Sequence, residues 1–300
     1  MNKFALRLWI TPLMLFGLAG LASAETQNVK VSGSIDAYSF YRNNFDLLDN
    51  NDAGVTPAGS ALPGQSHTGS AVQSSEAENF FMTVTQLEVD ASLTDNVSTV
   101  INLINQREWN VIPLTPAGAA VAAATATGNE FDILVDLAYV QMKEIFYSPL
   151  TLTIGRQDLL FGRGFIVGWN PQDPQANLQA DEFTQMQAFD AIRATLDFSP
   201  WILDFVYSKI SEGTPNPEND RDLYIAYMTY KFAEYSAVAD LYYTGDFDRA
   251  TLAAAGGTND NSTNTVGGRV QFDPISQITL GGELAYQFGD YRAALGAPRR

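Results

Sequence analysis

Apolar and polar residues alternate with a period of two along many segments of the chain. Near the end of the sequence, for example, Leu284 and Tyr286 alternate with Glu283 and Gln287. Successive side chains of a strand point to opposite faces, so each such segment predicts a strand with one apolar and one polar face. The predicted strands are 29–42, 80–93, 97–107, 131–146, 151–158, 187–198, 201–210, 222–232, 236–245, 265–273 and 277–289.

The connections between these strands alternate strictly in length. Short turns lie at 94–96, 147–149, 199–200, 233–235 and 273–276, and long polar connections at 43–79, 108–130, 159–186, 211–221 and 246–264. An outer-membrane barrel has short periplasmic turns and long external loops. A soluble exported β-sandwich, the alternative, has no reason to place every long connection at one end. The sequence therefore predicts an all-β fold, a transmembrane antiparallel up-and-down β-barrel of outer-membrane type.

Eleven strands leave the predicted barrel without a closing partner. Bacterial single-chain barrels use even numbers of strands, and an open strand edge in lipid leaves backbone groups without hydrogen bonds. We therefore expect an incomplete part of a larger barrel, with the chain truncated at its C-terminal end, or one more strand within a long connection.

The beginning of the chain has the pattern of a secretory signal. Lys3 and Arg7 give a positive start, a short apolar run follows, and small residues up to Ala24 form a cleavage site. The apolar run is short for a transmembrane helix of about 20 residues, so we expect cleavage rather than an anchor. The prediction is a signal peptide at 1–24 and a barrel domain at 25–300, located in the outer membrane of a Gram-negative cell.

Composition excludes several classes of protein. The chain has no cysteine, which rules out disulfides and cysteine-based metal sites. Its formal net charge of −17 argues against nucleic acid as a partner, because nucleic-acid binders carry a basic surface. His67 is the only histidine and has no neighbours that would orient it, so the sequence predicts no enzyme. No cofactor is predicted either. The acidic stretch 46–52 offers oxygen ligands for a calcium ion but lacks the EF-hand pattern, so a calcium site there stays an open alternative.

Aromatic residues gather near the predicted strand ends. Outer-membrane barrels carry aromatic girdles at both lipid–water interfaces, although aromatic residues also suit the strands of a soluble core. The residues concerned are Trp109, Trp169, Trp201, Phe40, Tyr41, Phe146, Tyr147, Phe198, Phe232, Tyr235 and Tyr243. We expect them to contact outer-membrane lipid.

The polar residues of the alternation form the second face of the predicted sheet. A basic residue facing hydrocarbon at the midplane costs about 2–4 kcal/mol, so we expect the charged residues to line a water-filled passage. They would either stabilise the wall as opposite charges on neighbouring strands or act as a selectivity filter. The inward set includes Lys30, Asp36, Glu88, Asp90, Asn102, Gln106, Asp136, Arg193, Asp197, Asp204, Asp240, Arg269, Gln271, Asp273, Glu283 and Gln287.

The segment 155–164 is rich in glycine and follows a clear strand. A phosphate-binding loop would need a strand–loop–helix context, which the pattern does not show. We expect these glycines instead to let the chain fold inward over the pore. Arg156 has the parity of the apolar Ile154, so either a bulge turns it inward or it lies at the level of the lipid headgroups.

Several motifs resemble the alginate-export family of outer-membrane porins, over roughly 131–200. They are the strand with Ala138-Tyr139, the turn at Ser148-Pro149, the Gly155-Arg156-Gln157 strand end and the strand with Asp190 and Arg193. The resemblance implies an eighteen-stranded barrel that moves polysaccharide or small solutes passively, and pore-lining roles for Arg156, Asp190 and Arg193. In that family arginines attract an anionic polymer, whereas the inward set here is more acidic than basic.

The sequence as a whole predicts an outer-membrane porin for passive passage of hydrophilic solutes, including alginate-type polysaccharide export. Its expected partners are outer-membrane lipid and the solute or polysaccharide, and periplasmic export machinery stays open as a further partner. The alternative is a structural or adhesive barrel whose long external loops bind a partner.

Overall fold

The computed structural model describes residues 28–43, 77–109, 132–144, 146, 148–172, 183–212, 220–233, 236–249, 261–275 and 277–290. The predicted signal peptide and the greater part of the long connections lie outside these ranges. Within them, no helix has the length and apolar character needed to cross a membrane.

All eleven predicted strands are present. They are β1 (Asn28–Asn43), β2 (Ala77–Thr94), β3 (Val97–Glu108), β4 (Leu134–Lys143), β5 (Leu150–Gln157), β6 (Phe189–Asp197), β7 (Trp201–Ser211), β8 (Arg221–Phe232), β9 (Ala237–Asp248), β10 (Asn261–Ile275) and β11 (Ile278–Asp290). The largest difference from the prediction is at β10, which begins at Asn261 rather than at 265. Its first residues have the polar composition of a loop, but they pair on both sides, with β9 and with β11.

Each strand is antiparallel to the next, and the strands follow one another across the sheet in sequence order. The short connections therefore lie at one end of the sheet and the long ones at the other, which confirms the predicted up-and-down topology. Within the described ranges β1 pairs only with β2, and β11 only with β10. The sheet is thus open at two edges, in agreement with the prediction of an incomplete barrel.

The two faces of the sheet differ as the alternation predicts, but the apolar face is the exposed one. Leu284 is 84% exposed and Ile35 is 77% exposed, whereas Asp240 is only 6% exposed. A large exposed apolar face is costly in water and suits the hydrocarbon of a bilayer. We call this the outer face; it carries Ile154, Ile192, Phe205, Leu241, Val266 and Leu284, and the opposite, inner face carries Thr153, Arg193, Asp204, Asp240, Thr265 and Glu283.

Aromatic contacts on the outer face follow the expected girdle at both ends of the sheet. Near the short turns, Trp201 meets Tyr230 edge-on, with 4.5 Å between ring centres. Near the long connections, Trp109 stacks on Phe81 at 5.2 Å and donates a hydrogen bond from its indole nitrogen to Thr83 Oγ1. Rings at both ends of the apolar face match the aromatic girdles of outer-membrane barrels, which lie at the level of the lipid headgroups.

The girdle prediction was wrong for Phe40. This ring lies on the inner face, where it stacks on Phe183 with 4.1 Å between ring centres. The reason is parity, because Phe40 lies an even number of residues from Asp36, itself assigned to the inner face. Trp169 belongs to the β5–β6 connection and not to a strand end, and Tyr147 and Tyr235 lie outside the described residues.

Candidate pore lining

Among the charged residues that were expected to line the pore, Asp136, Arg193, Asp197, Asp240, Arg269 and Glu283 lie on the inner face. Arg156 and Asp190, whose pore-lining roles came from the family resemblance, are opposite each other in the register and share the parity of Ile154 and Ile192. Pairing of β5 with both neighbours continues through Arg156 without a shift, so no bulge turns this residue inward.

A buried ion pair joins β9 and β10 on the inner face. Arg269 Nε lies 2.6 Å from Asp240 Oδ2, and the two side chains are only 13% and 2% exposed. Asp240 also accepts a hydrogen bond from Thr229 Oγ1 at 2.8 Å, and Arg269 donates one to Gln271 Oε1 at 3.0 Å. Each charge is therefore compensated in place, as a buried ion must be to remain charged.

A second ion pair joins β6 and β7. Arg193 Nε lies 2.8 Å from Asp204 Oδ1, and Thr195 Oγ1 donates a hydrogen bond to the same oxygen. The guanidinium of Arg193 also lies over the ring of Phe161, 5.2 Å from its centre, in a cation–π arrangement. The arginines on this half of the inner face are thus neutralised by their own neighbours.

Residues 158–172, which we call the inner segment, begin the β5–β6 connection and lie against the inner face of β6–β10. Phe161 is 7% exposed and packs on Tyr227, with 4.8 Å between ring centres. Tyr227 in turn stacks parallel to Tyr242, whose hydroxyl donates a hydrogen bond to Glu283 Oε1 at 2.8 Å. The expectation that this glycine-rich stretch folds inward is confirmed.

Glycine is needed at the turn of the inner segment. Gly162 and Gly164 have φ values of +61° and +74°, in the left-handed region that favours glycine. A Cβ on Gly162 would lie 3.2 Å from Arg269 Nε, so the segment passes close to the buried ion pair. The next residue, Arg163, is exposed and donates a hydrogen bond to Gln271 Oε1 at 3.3 Å.

The end of the same connection, residues 183–188, covers the inner face of β1–β3; we call it the second inner stretch. Gln106 Nε2 donates to Thr184 Oγ1 at 2.8 Å, and Gln106 Oε1 accepts from the backbone nitrogen of Gln185 at 3.0 Å. Met186 is buried with apolar residues of β2 and β3. The β5–β6 connection therefore narrows the space above the inner face from both sides.

The inner face of β1–β4 is acidic. Asp36, Glu88, Asp90 and Asp136 lie on it, together with Lys30, which is opposite Asp90 in the register, and Lys143 near the short turn. Within the described ranges none of these carboxylates forms an ion pair. Asp136 Oδ2 accepts only a long hydrogen bond, 3.4 Å, from an asparagine amide of β3. This half thus carries four carboxylates against two lysines, without the ion pairs of the half formed by β6–β10.

The sequence profile of the alginate export family matches residues 62–297. The chain belongs to this family. No curated protein matches it. Among solved structures, a mutant of the Rh. blastica porin is 13% identical, covers 90% of this chain and 91% of its own, and has a TM-score of 0.31, a likeness too slight to carry an argument. Membership places this alginate export family protein among the outer-membrane channels of porin type.

Sequence reasoning missed the contacts that hold the connection of this family member in place. Gln106 was assigned to the inner face, but nothing indicated that Thr184 would bind it. Tyr227 and Tyr242 have inner-face parity in the predicted strands, which was a usable signal that two large rings lie where a pore needs space. Among the described residues, no group of three or more acidic or histidine side chains is arranged to hold a metal ion.

Proposed function

We propose that this protein is a passive channel for hydrophilic solutes across the outer membrane. The observation that carries the proposal is the contrast between the two faces of one sheet. The outer face is mainly apolar and exposed, whereas the inner face carries most of the charged and amide side chains, together with two buried apolar clusters beneath the β5–β6 connection. The charged side chains outside these clusters are stable in a bilayer when water reaches the inner face.

The charge of the inner face supports a preference among solutes. The arginines of β6–β10 are each paired with an aspartate, whereas the carboxylates of β1–β4 form no ion pair within the described ranges and outnumber the lysines beside them. Charged rings of one sign select ions of the opposite sign. We therefore propose that cations and uncharged hydrophilic solutes, including uncharged polysaccharide, pass more readily than a polyanion such as alginate.

The experiment is conductance in planar lipid bilayers with protein purified in detergent from outer membranes. We expect stepwise conductance and, in a KCl gradient, a reversal potential of the sign that indicates cation selectivity. The double substitution Glu88→Gln with Asp90→Asn is expected to reduce that selectivity. Asp95→Asn, an exposed carboxylate in the β2–β3 turn, is the matched control and is expected to leave it unchanged.

Two outcomes would contradict the proposal at different levels. Absence of any conductance from correctly inserted protein would contradict the channel itself and favour the structural or adhesive alternative. Conductance with anion selectivity would keep the channel and refute the charge preference.

A further inference from the structure

The Gly155-Arg156-Gln157 motif lies where β5 ends and the inner segment begins, and each of its residues is constrained. Gln157 is 4% exposed, and its Nε2 lies 3.0 Å from Ala191 O, 3.3 Å from Gly155 O and 3.4 Å from Thr153 O. This buried amide ties the end of β5 to β6. The inner segment therefore starts from a fixed point.

Gly155 allows β5 to lie against β4 at this point. Its φ of +124° is rare for any residue with a side chain. A Cβ here would clash with Ala138 O and would lie 2.9 Å from Tyr139 Cα. Both are backbone atoms of β4, so relieving the clash would require the paired strand to shift. The glycine thus sets the path of the strand that presents Arg156.

Arg156 reaches from β5 to the far end of the inner segment. One terminal nitrogen donates a hydrogen bond to Gln172 Oε1, and the other lies 3.5 Å from Asp190 Oδ2 on β6. The side chain is 15% exposed. Because both terminal nitrogens are engaged and little of the side chain meets solvent, this guanidinium is poorly placed to meet a passing solute.

Gln172 connects Arg156 to the second inner stretch by hydrogen bonds. Its backbone nitrogen donates to Met186 O at 2.9 Å, and its carbonyl oxygen accepts from Thr184 Oγ1 at 2.7 Å. Thr184 is in turn bonded to Gln106 of β3. A continuous chain of hydrogen bonds therefore runs from Arg156 on β5 through both described parts of the connection to Gln106 on β3.

We propose that Arg156 is a positioning residue, which holds the β5–β6 connection across the inner face and so sets the width of the passage. The inference rests on the proposed channel function and goes beyond it by assigning a role to the motif. It also replaces the pore-lining role that the family resemblance implied for Arg156.

The test combines channel recordings with a measurement that needs no conductance. Arg156→Gln removes the charge and shortens the side chain, so that it no longer contacts Gln172 and Asp190 together. We expect a larger single-channel conductance with more open-channel noise. Gln172→Ala, which leaves the charge in place, is expected to do the same, and the double variant to add little because both act through one contact. Arg156→Lys can keep only one of the two contacts and is expected to lie between wild type and Arg156→Gln.

The control is Lys209→Gln on β7. This basic residue binds Asp220 and Asp222, at 2.6 and 3.1 Å, and no hydrogen bond or ion pair joins it to the described parts of the connection, 158–172 and 183–188. It is expected to leave conductance and noise unchanged. Correct folding of every variant is checked by heat-modifiable migration on gels.

A spin label at Phe165→Cys, an exposed position of the inner segment, reports motion whether or not the protein conducts. Greater label mobility in Arg156→Gln and in Gln172→Ala supports the proposal, even if the channel function itself fails. Unchanged mobility in both variants would overturn it. A shift in reversal potential in Arg156→Gln alone, with conductance and noise unchanged, would also overturn it and return Arg156 to the pore lining.

Discussion

Substitution of Asp240 by alanine tests whether the inner-face ion pairs hold the sheet together. The change leaves Arg269 buried without its carboxylate, with one remaining hydrogen bond to Gln271. Removing one partner of a buried pair costs about 3–5 kcal/mol. Because that hydrogen bond remains, we expect the lower end of this range, about 3 kcal/mol of unfolding free energy.

The assay is equilibrium urea unfolding in lipid vesicles, followed by tryptophan fluorescence, for Asp240→Ala, Arg269→Ala and the double variant. We expect the double variant to be little less stable than either single one, with a coupling energy of at least about 2 kcal/mol. Asp273→Ala is the control, since Asp273 is exposed and accepts a hydrogen bond from Thr279, and it should change stability by no more than about 0.5 kcal/mol. Additive single effects, or a cost for Asp240→Ala as small as for the control, would refute the reasoning.

Three further predictions use the same unfolding assay or mass spectrometry. Gly155→Ala is expected to lower the free energy of unfolding by about 1–3 kcal/mol because of backbone strain. Gly282→Ala, whose Cβ would meet nothing within 4 Å, is expected to leave it unchanged. Equal effects of the two substitutions would contradict this reasoning. Leu284→Arg on the outer face is expected to lower the free energy of unfolding by about 2–4 kcal/mol. Gln287→Arg on the inner face of the same strand is expected to lower it much less, and the reverse order would contradict the assignment of the faces. The intact mass of the protein from outer membranes is expected to correspond to a chain that begins at Glu25, and a mass that retains the first 24 residues would refute signal cleavage.

The strands were predictable because one residue in two must face lipid. Leu241 and Asp240 illustrate this, since the apolar residue is 58% exposed and its polar neighbour is buried, as their alternation indicated. The same rule would have placed Phe40 correctly, had its parity been weighed above its position near a strand end. Register follows from the same alternation, because a shift by one residue would turn every apolar side chain inward.

The contacts of the β5–β6 connection were not predictable in the same way. Glycines indicated that the segment folds inward, but the partner of Phe161 is Tyr227, far away in the chain and brought close only by the sheet. Arg156 has the strand parity of the apolar Ile154, whereas a charged side chain is expected on the inner face. The sequence left two explanations of this conflict open. The register excludes the bulge, and the bond to Gln172 depends on where a long connection returns, which periodicity does not encode.

The central claim is that the outer face meets hydrocarbon and the inner face meets water. The chain has no cysteine, so single-cysteine variants at 279–288 in β11 can be spin-labelled without background. In lipid vesicles, oxygen is expected to relax labels at 280, 284 and 286 more strongly, and a water-soluble nickel complex those at 283, 285 and 287. Equal access of both reagents at neighbouring positions would contradict the claim.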